Sequence, residues 1–309
     1  MLKKAILVSA TVLMGGIAAF VLYMLRDPRP RFEERRSSLA SVVESEPVID
    51  GASSFQDVTL TATSGLQVPL NVRRQLADSG RTLPGVVILG GHVTGATAAR
   101  LVGEAPGIAV AAMSYPFTGN PKPGTATFLR EIPKIRGAFL DTPPALMLVM
   151  DYLYRRDDVD TTRIEAVGVS LGAPFVTIAG ALDTRFTRVW ALHGSGGSYA
   201  PLEASMRRTI GFGPLRAVAA TIANVLISGP RLAPEKWAAQ IAPRPFVMAN
   251  ATDDERLPRE SVEALFAGAA EPKELIWMSG RHIHADAETI QRLVGIVKAR
   301  VVGAETTAD

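Results

Sequence analysis

The sharpest chemical signal in the sequence is the pentapeptide Gly168-Val169-Ser170-Leu171-Gly172. It follows an apolar run, Ile164–Val169, that reads as a strand, and it opens a helical stretch, Ala173–Leu182. A sharp strand-to-helix turn needs small residues on both sides of a nucleophile, because the backbone folds tightly and the helix approaches closely. Such a turn lifts the Ser170 hydroxyl above the sheet. It also aims the Leu171 N–H and the positive end of the helix at the space where an oxyanion would develop. The chemistry these residues suit is nucleophilic acyl transfer. The pentapeptide alone is a weak pattern, and its flanking strand and helix give it weight. The bland alternative is a serine capping a glycine-rich helix start.

A serine nucleophile needs a base. The chain has four histidines: His92, His193, His282 and His284. With a nucleophile on a strand–turn–helix elbow, the order along the chain is nucleophile, acid, base. His282 and His284 lie late enough, in the loop Ser279-Gly280-Arg281-His282-Ile283-His284 after the apolar run Glu274–Met278. His282 is the expected base, and His284 the alternative. The acid should end the preceding strand, where Pro245–Asn250 runs into Ala251-Thr252-Asp253-Asp254-Glu255. Asp254 is the expected acid and Asp253 the next choice; a carboxylate there orients the imidazole and stabilises its cation. The second oxyanion donor should come from Gly90-Gly91-His92-Val93, with the His92 or Val93 N–H as the donor. His193 reads as a hydrogen-bonded packing residue. A metal held by His282 and His284 with His92 or His193 has no carboxylate spacing to support it, so no metal is expected. The glycine loops lack the Lys-Ser/Thr of a phosphate loop and the spacing of a dinucleotide site, so no cofactor is expected either.

The elements that must position these residues follow an alternating pattern. Phe55–Thr63 and Leu66–Arg73 flank the turn Ser64-Gly65 and form a hairpin. Short apolar runs follow at Gly85–Leu89, Ile108–Met113, Ile164–Val169, Val189–Leu192, Pro245–Ala249 and Glu274–Met278. Runs of this kind are buried on both faces of a sheet. Helical stretches separate them at Thr94–Val102, Pro144–Arg156, Gly172–Leu182, Arg259–Ala269 and Glu288–Val302. The expected fold class is therefore α/β, a mostly parallel twisted sheet with helices on both faces. About 45 residues between Gly196 and Pro243 contain no strand candidate, and Leu215–Ile227 within them is strongly apolar with helical spacing. An insertion after a strand's C-terminal end sits over the ligand crevice, so residues 198–243 are expected to be a lid or acyl-binding cap.

Composition narrows the class further. The 309 residues are 47% hydrophobic and 20% charged, which excludes a disordered chain. There is no cysteine, so disulfide scaffolds, iron–sulfur centres and cysteine nucleophiles are excluded. The net charge of +3 comes from one end: residues 1–36 carry seven Lys/Arg against three Asp/Glu, and the other 273 carry 26 against 27. A body so nearly neutral has no basic footprint for nucleic acid. Ala5–Leu25 is 21 residues without a charge. As a helix it spans about 31 Å at roughly 1.5 Å per residue, the thickness of a bilayer core. Lys3, Lys4 and Arg26 flank it, and Tyr23 stands where an aromatic anchor belongs. The expectation is an uncleaved single-pass anchor; a cleaved secretory signal is the rival reading. Five arginines after the helix favour a cytoplasmic body, whereas the Lys-Lys start resembles an export signal, so the side stays open. The expected organisation is an anchor at 1–26, a poorly ordered polar tether at 27–50 with a short helix around Glu33–Val43, a domain at 51–303 and a tail at 304–309.

Taken together, the elbow Gly168–Gly172, the acid segment Ala251–Pro258 and the histidine loop Ser279–His284 resemble the α/β-hydrolase superfamily over roughly Phe55–Val302. Tyr152–Ile164 and Ile241–Phe246 look like the segments flanking the elbow and acid strands in dienelactone-hydrolase-like and prolyl-oligopeptidase-like esterases. The resemblance implies a Ser170–Asp254–His282 triad that cleaves a carboxylic ester through an acyl-enzyme. The anchor and the apolar helix both suit a lipophilic acyl substrate near a bilayer. An acyltransferase on the same triad and an inert membrane-anchored binding protein are the competing readings.

Overall fold

A computed structural model of the chain describes residues 11–303 apart from 13, 17, 21, 24, 25, 92, 93, 121–124, 208 and 283–286. The first strands are β1 (Leu39–Glu44), β2 (Val48–Asp50), β3 (Ser53–Ala62) and β4 (Gln67–Gln75). They pair antiparallel around β3, and β4 then joins β6 antiparallel. From there the sheet is parallel: β5 (Leu83–Leu89), β6 (Ala109–Met113), β7 (Val159–Val169), β8 (Arg188–Leu192), β9 (Phe246–Ala251) and β10 (Lys273–Met278). The strand order is β1-β3-β4-β6-β5-β7-β8-β9-β10, with β2 paired to β3. The direction of winding reverses at β5, which has β6 on one side and β7 on the other. In an open sheet such a reversal opens a crevice beyond the strands' C-terminal ends. The α/β class and the antiparallel hairpin leading into parallel units are as the sequence predicts.

Strand alternation divides the interior into two layers. Val87 and Leu89 face one core, built with the helices α3 (Thr125–Leu153) and α4 (Ala173–Leu182). Val86, Val110 and Val167 face the other, closed by Val102, Ala105 and Ile108, which follow α2 (Ala98–Leu101), and by the last helix, Ala287–Gly303.

Two expectations need correction. Residues 27–50 are not a loose tether. They form the helix α1 (Arg29–Arg36) and then β1 and β2. The short helix expected around Glu33–Val43 lies further toward the N-terminus, and its second half is strand β1. Phe32 is 1% exposed in the first core and stacks at a tilt on Trp237. Arg31 and Arg35 bridge Asp141, and Arg36 bridges Asp151. The polar composition that reads as solvated chain is a set of cations paired with carboxylates on α3. Phe32→Ala is therefore expected to cost about 3–5 kcal/mol in urea unfolding, the range for a buried aromatic. A fragment starting after Arg36 should lose that much and more.

The second correction concerns α3. The sequence predicts a helix only from Pro144, because prolines remove a backbone donor and clash with the preceding turn. The helix instead begins at Thr125 and runs through Pro133, Pro143 and Pro144. Thr142 Oγ1 donates to the Ala138 carbonyl at 2.7 Å, and Ala138, Leu140 and Leu146 are buried. Packing on both sides of the interruption outweighs the local preference.

The insertion after β8 is helical, with α5 (Tyr199–Met206) and α6 (Gly213–Leu226) packed against each other. The remaining helices are α7 (Arg259–Gly268) and α8 (Ala287–Gly303). Among the described residues no helix is long and apolar enough to cross a membrane. Much of Ala5–Leu25, including residues 1–10, lies outside the described residues, as does the tail 304–309.

Candidate active site

The elbow is built by close approach. Gly168 ends the region where β7 pairs with both β5 and β8. A side chain at Gly168 would strike Val176 and the Gly172 carbonyl, and one at Gly172 would strike the Leu89 carbonyl. Both positions must therefore be glycine for the helix start to press against the ends of β7 and β5. Ser170 sits between them at φ +54°, a strained value for a residue with a side chain. The tight turn Ser170–Gly172 leads directly into α4. The Leu171 N–H belongs to that first turn, whose donors have no partner within the helix. The expected second donor, His92, and its alternative Val93 lie outside the described residues, and so does His284.

The structure brings Ser170, His282 and Asp254 into one row. Ser170 Oγ lies 2.9 Å from His282 Nε2, and His282 Nδ1 lies 2.7 Å from Asp254 Oδ2. His282 is 3% exposed. The two loops that carry Asp254 and His282 are tied together: the Thr252 N–H donates to the Met278 carbonyl at 2.8 Å, and the Asp253 N–H to the Gly280 carbonyl at 3.0 Å. The second oxygen of Asp254 accepts the Arg256 and Leu257 N–H groups, both at 2.9 Å. Asp253 points outward, hydrogen-bonded to its neighbour Thr252. Glu255 accepts from the His282 backbone N–H at 3.2 Å and so holds the base loop.

Two residues at the site were not anticipated as functional. His193, at φ +47° just past β8, turns Nδ1 toward Asp254 Oδ2 at 3.4 Å. Its ring meets the His282 ring edge-on, with centroids 5.0 Å apart. The carboxylate thus sits between two imidazoles. Burial alone would raise its pKa, but hydrogen bonds from His193 and His282 outweigh that and hold it well below the usual carboxylate range. Tyr115, partly buried, donates to the Gly90 carbonyl at 2.8 Å and braces the loop after β5. His193 is one of four histidines and ends a strand beside the crevice, a signal that could have placed it here. No comparable signal marks Tyr115. We expect His193→Gln to lower kcat about tenfold, because a long hydrogen bond to a charged group contributes about 1.5 kcal/mol. KM should stay constant and thermal unfolding should show an intact fold.

His193, Asp254 and His282 also lie close enough for their ligand atoms to share an ion. All three are already engaged with one another by hydrogen bonds, and His282 Nε2 faces Ser170. A cavity of about 430 Å³ opens at Ser170 and Leu171.

No protein-family model and no curated protein sequence matches the chain. Solved structures do. Acetyl xylan esterase 1 from Thermoanaerobacterium sp. JW/SL YS485 superposes with a TM-score of 0.63 at 15% identity, over 91% of this chain and 93% of that one. The acetyl xylan esterase from Paenibacillus sp. R4 gives 0.60 at 16% identity, over 90% and 94%. The glucuronoyl esterase from Solibacter usitatus gives 0.52 at 15% identity, over 86% and 91%. At such identities the likeness concerns the fold, and the fold is that of the α/β-hydrolases.

Proposed function

We propose that the protein is a serine carboxylesterase. The observation that carries this reading is the hydrogen-bonded row from Ser170 through His282 to Asp254, at 2.9 and 2.7 Å. In this reading His282 Nε2 takes the proton of Ser170 Oγ as the oxygen attacks the ester carbonyl. Asp254 keeps the proton on Nδ1 and stabilises the imidazolium. The Leu171 N–H, with a donor from the His92 region, stabilises the tetrahedral oxyanion. His282 then gives its proton to the departing alkoxide, which leaves an acyl group on Ser170. Water, deprotonated by His282, attacks this ester and releases the acid. The esterases among the structural neighbours support this substrate type.

The lipophilic acyl preference and the membrane anchor belong to the same proposal. The anchor is supported by the uncharged run Ala5–Leu25 and by the exposed apolar stripe Leu215, Val218 and Ile222 on α6, which suits a bilayer surface rather than the acyl group, and the lipophilic preference follows from a site beside a bilayer. Tyr23, near the end of that run, is held by Arg136 and Arg231 through its ring. The test is hydrolysis of p-nitrophenyl esters by the full chain in detergent, with an added alcohol acceptor to reveal transfer. The expected result is release of free acid. A folded protein inert toward every ester would sink the reading, and acyl transfer to the alcohol in preference to water would make it a transferase.

A further inference from the structure

The cavity at Ser170 does not extend where the sequence places an acyl cap. None of the described residues that line it belongs to 198–243. It runs instead beneath the C-terminal helix α8. Its floor is the face of the central strands carrying Val86, Ile88, Val110 and Val167. Leu101 of α2 stands on one side, and Leu293, Val294 and Val297 of α8 form the roof.

Sheet register gives its depth. Gly168, two residues before Ser170, pairs with Leu89, and Val86 lies three residues back along β5. At about 3.3 Å per residue the cavity descends about 10 Å below the level of Gly168 toward the N-terminal ends of the strands. Most of the lining is Val, Ile and Leu; Ser170, Thr94, Arg256 and Lys298 are its polar side chains. Its volume of about 430 Å³ falls in the range of small-molecule sites. An acetyl group would leave most of it unfilled.

We propose that this cavity is the acyl-chain site, and that it takes a medium-length, unbranched acyl group lying between the sheet and α8. The proposal rests on the esterase reading and names its substrate class. The chain enters with its carbonyl at Ser170 Oγ and the Leu171 N–H, and its methylenes pass down the groove toward Val86 and Val297. Each methylene buried there should raise kcat/KM about fourfold. Octanoate esters should therefore exceed butyrate esters by on the order of a hundredfold.

The test compares p-nitrophenyl acetate, butyrate and octanoate for the full chain, Val294→Phe and Leu101→Trp, with Ile222→Ser on α6 as the contrast. Val294 is only partly buried and Leu101 is exposed at the cavity's edge, so a larger side chain at either enters the cavity without dismantling the core. The expected result is a strong octanoate preference in the full chain. The octanoate-to-acetate ratio of kcat/KM should fall about a hundredfold in both cavity-filling variants and stay constant in Ile222→Ser. Octanoic acid should also raise the Tm of Ser170→Ala by about 2–4 °C, an effect lost when Val294→Phe is added. Preference for acetate, with Ser170 still labelled by a fluorophosphonate, would overturn the acyl site and leave the esterase reading standing. A ratio that responds to Ile222→Ser and not to Val294→Phe would move the chain under the insertion and overturn it as well. A protein inert to esters and to the fluorophosphonate, yet stabilised by octanoic acid through the same cavity, would keep the site and remove the esterase reading.

Discussion

Ser170→Ala should lower kcat for a p-nitrophenyl ester by on the order of a hundred-thousandfold or more, with the fold intact. The size of the loss follows from the geometry. Ser170 Oγ is the atom to which the base is hydrogen-bonded, and removing it leaves His282 with nothing to deprotonate but water. His282→Ala should lose about as much, and the double variant little more, because the two side chains act as one unit. A second consequence separates chemistry from stability. Ser170 is held at φ +54°, which costs about 1–3 kcal/mol for a residue with a side chain. Ser170→Gly should be as inactive as Ser170→Ala yet more stable to urea by about 1 kcal/mol. Equal stability of the two variants would mean that the elbow stores no strain.

Asp254→Asn is the second large effect. An amide at this position cannot stabilise the imidazolium, and its N–H₂ can hold Nδ1 in the wrong tautomer. The expected loss in kcat is about ten-thousandfold at neutral pH. Asp253→Asn should cost less than twofold, because that side chain points to solvent and Asp254 is the carboxylate bonded to the imidazole rings. The two imidazoles hold Asp254 below the usual carboxylate range. Its folded pKa is therefore lower than its unfolded value of about 3.9. The stability it contributes is complete above that value and is lost as pH falls below it through the folded pKa. Asp254 consequently stays ionised from pH 5 to 8, and the acidic limb of the activity profile belongs to another group. Stability measured from pH 5 downward should fall less steeply in Asp254→Asn than in the parent chain. An equal slope would contradict the assigned hydrogen bonds.

The elbow was the most legible part of the site, because its requirement is local. Two glycines flanking a serine between a strand and a helix are readable from ten residues of sequence, and the contacts at Gly168 and Gly172 supply the reason. The order of serine, acid and base was legible for the same reason, since each follows a short apolar strand. The choice among Asp253, Asp254 and Glu255 was not decided by spacing. It depends on two loops stitched through Thr252 and Asp253 to the far side of β10, a non-local arrangement. The partnership of His193 with Asp254 spans 61 positions, and its one local mark is a histidine at a strand end. Residues 27–50 are polar in composition but not solvated in the fold. Arg31, Arg35 and Arg36 face Asp141 and Asp151, more than a hundred positions away, and Phe32 and Leu39 mark the buried side. The insertion after β8 was correctly placed as helical, but its apolar character says nothing about which surface it covers. The cavity at Ser170 is lined from α8 instead.

The central claim is that Ser170 forms a covalent acyl-enzyme activated by His282. It is tested most directly by incubating the full chain with an alkyl fluorophosphonate and mapping the adduct by peptide mass spectrometry. The Ser170 oxygen displaces fluoride and keeps the phosphonyl group, a stable mimic of the tetrahedral intermediate. A single adduct on the peptide containing Ser170, absent in His282→Ala, is the predicted result. A folded protein that carries no adduct, or carries it on another serine, would contradict the account.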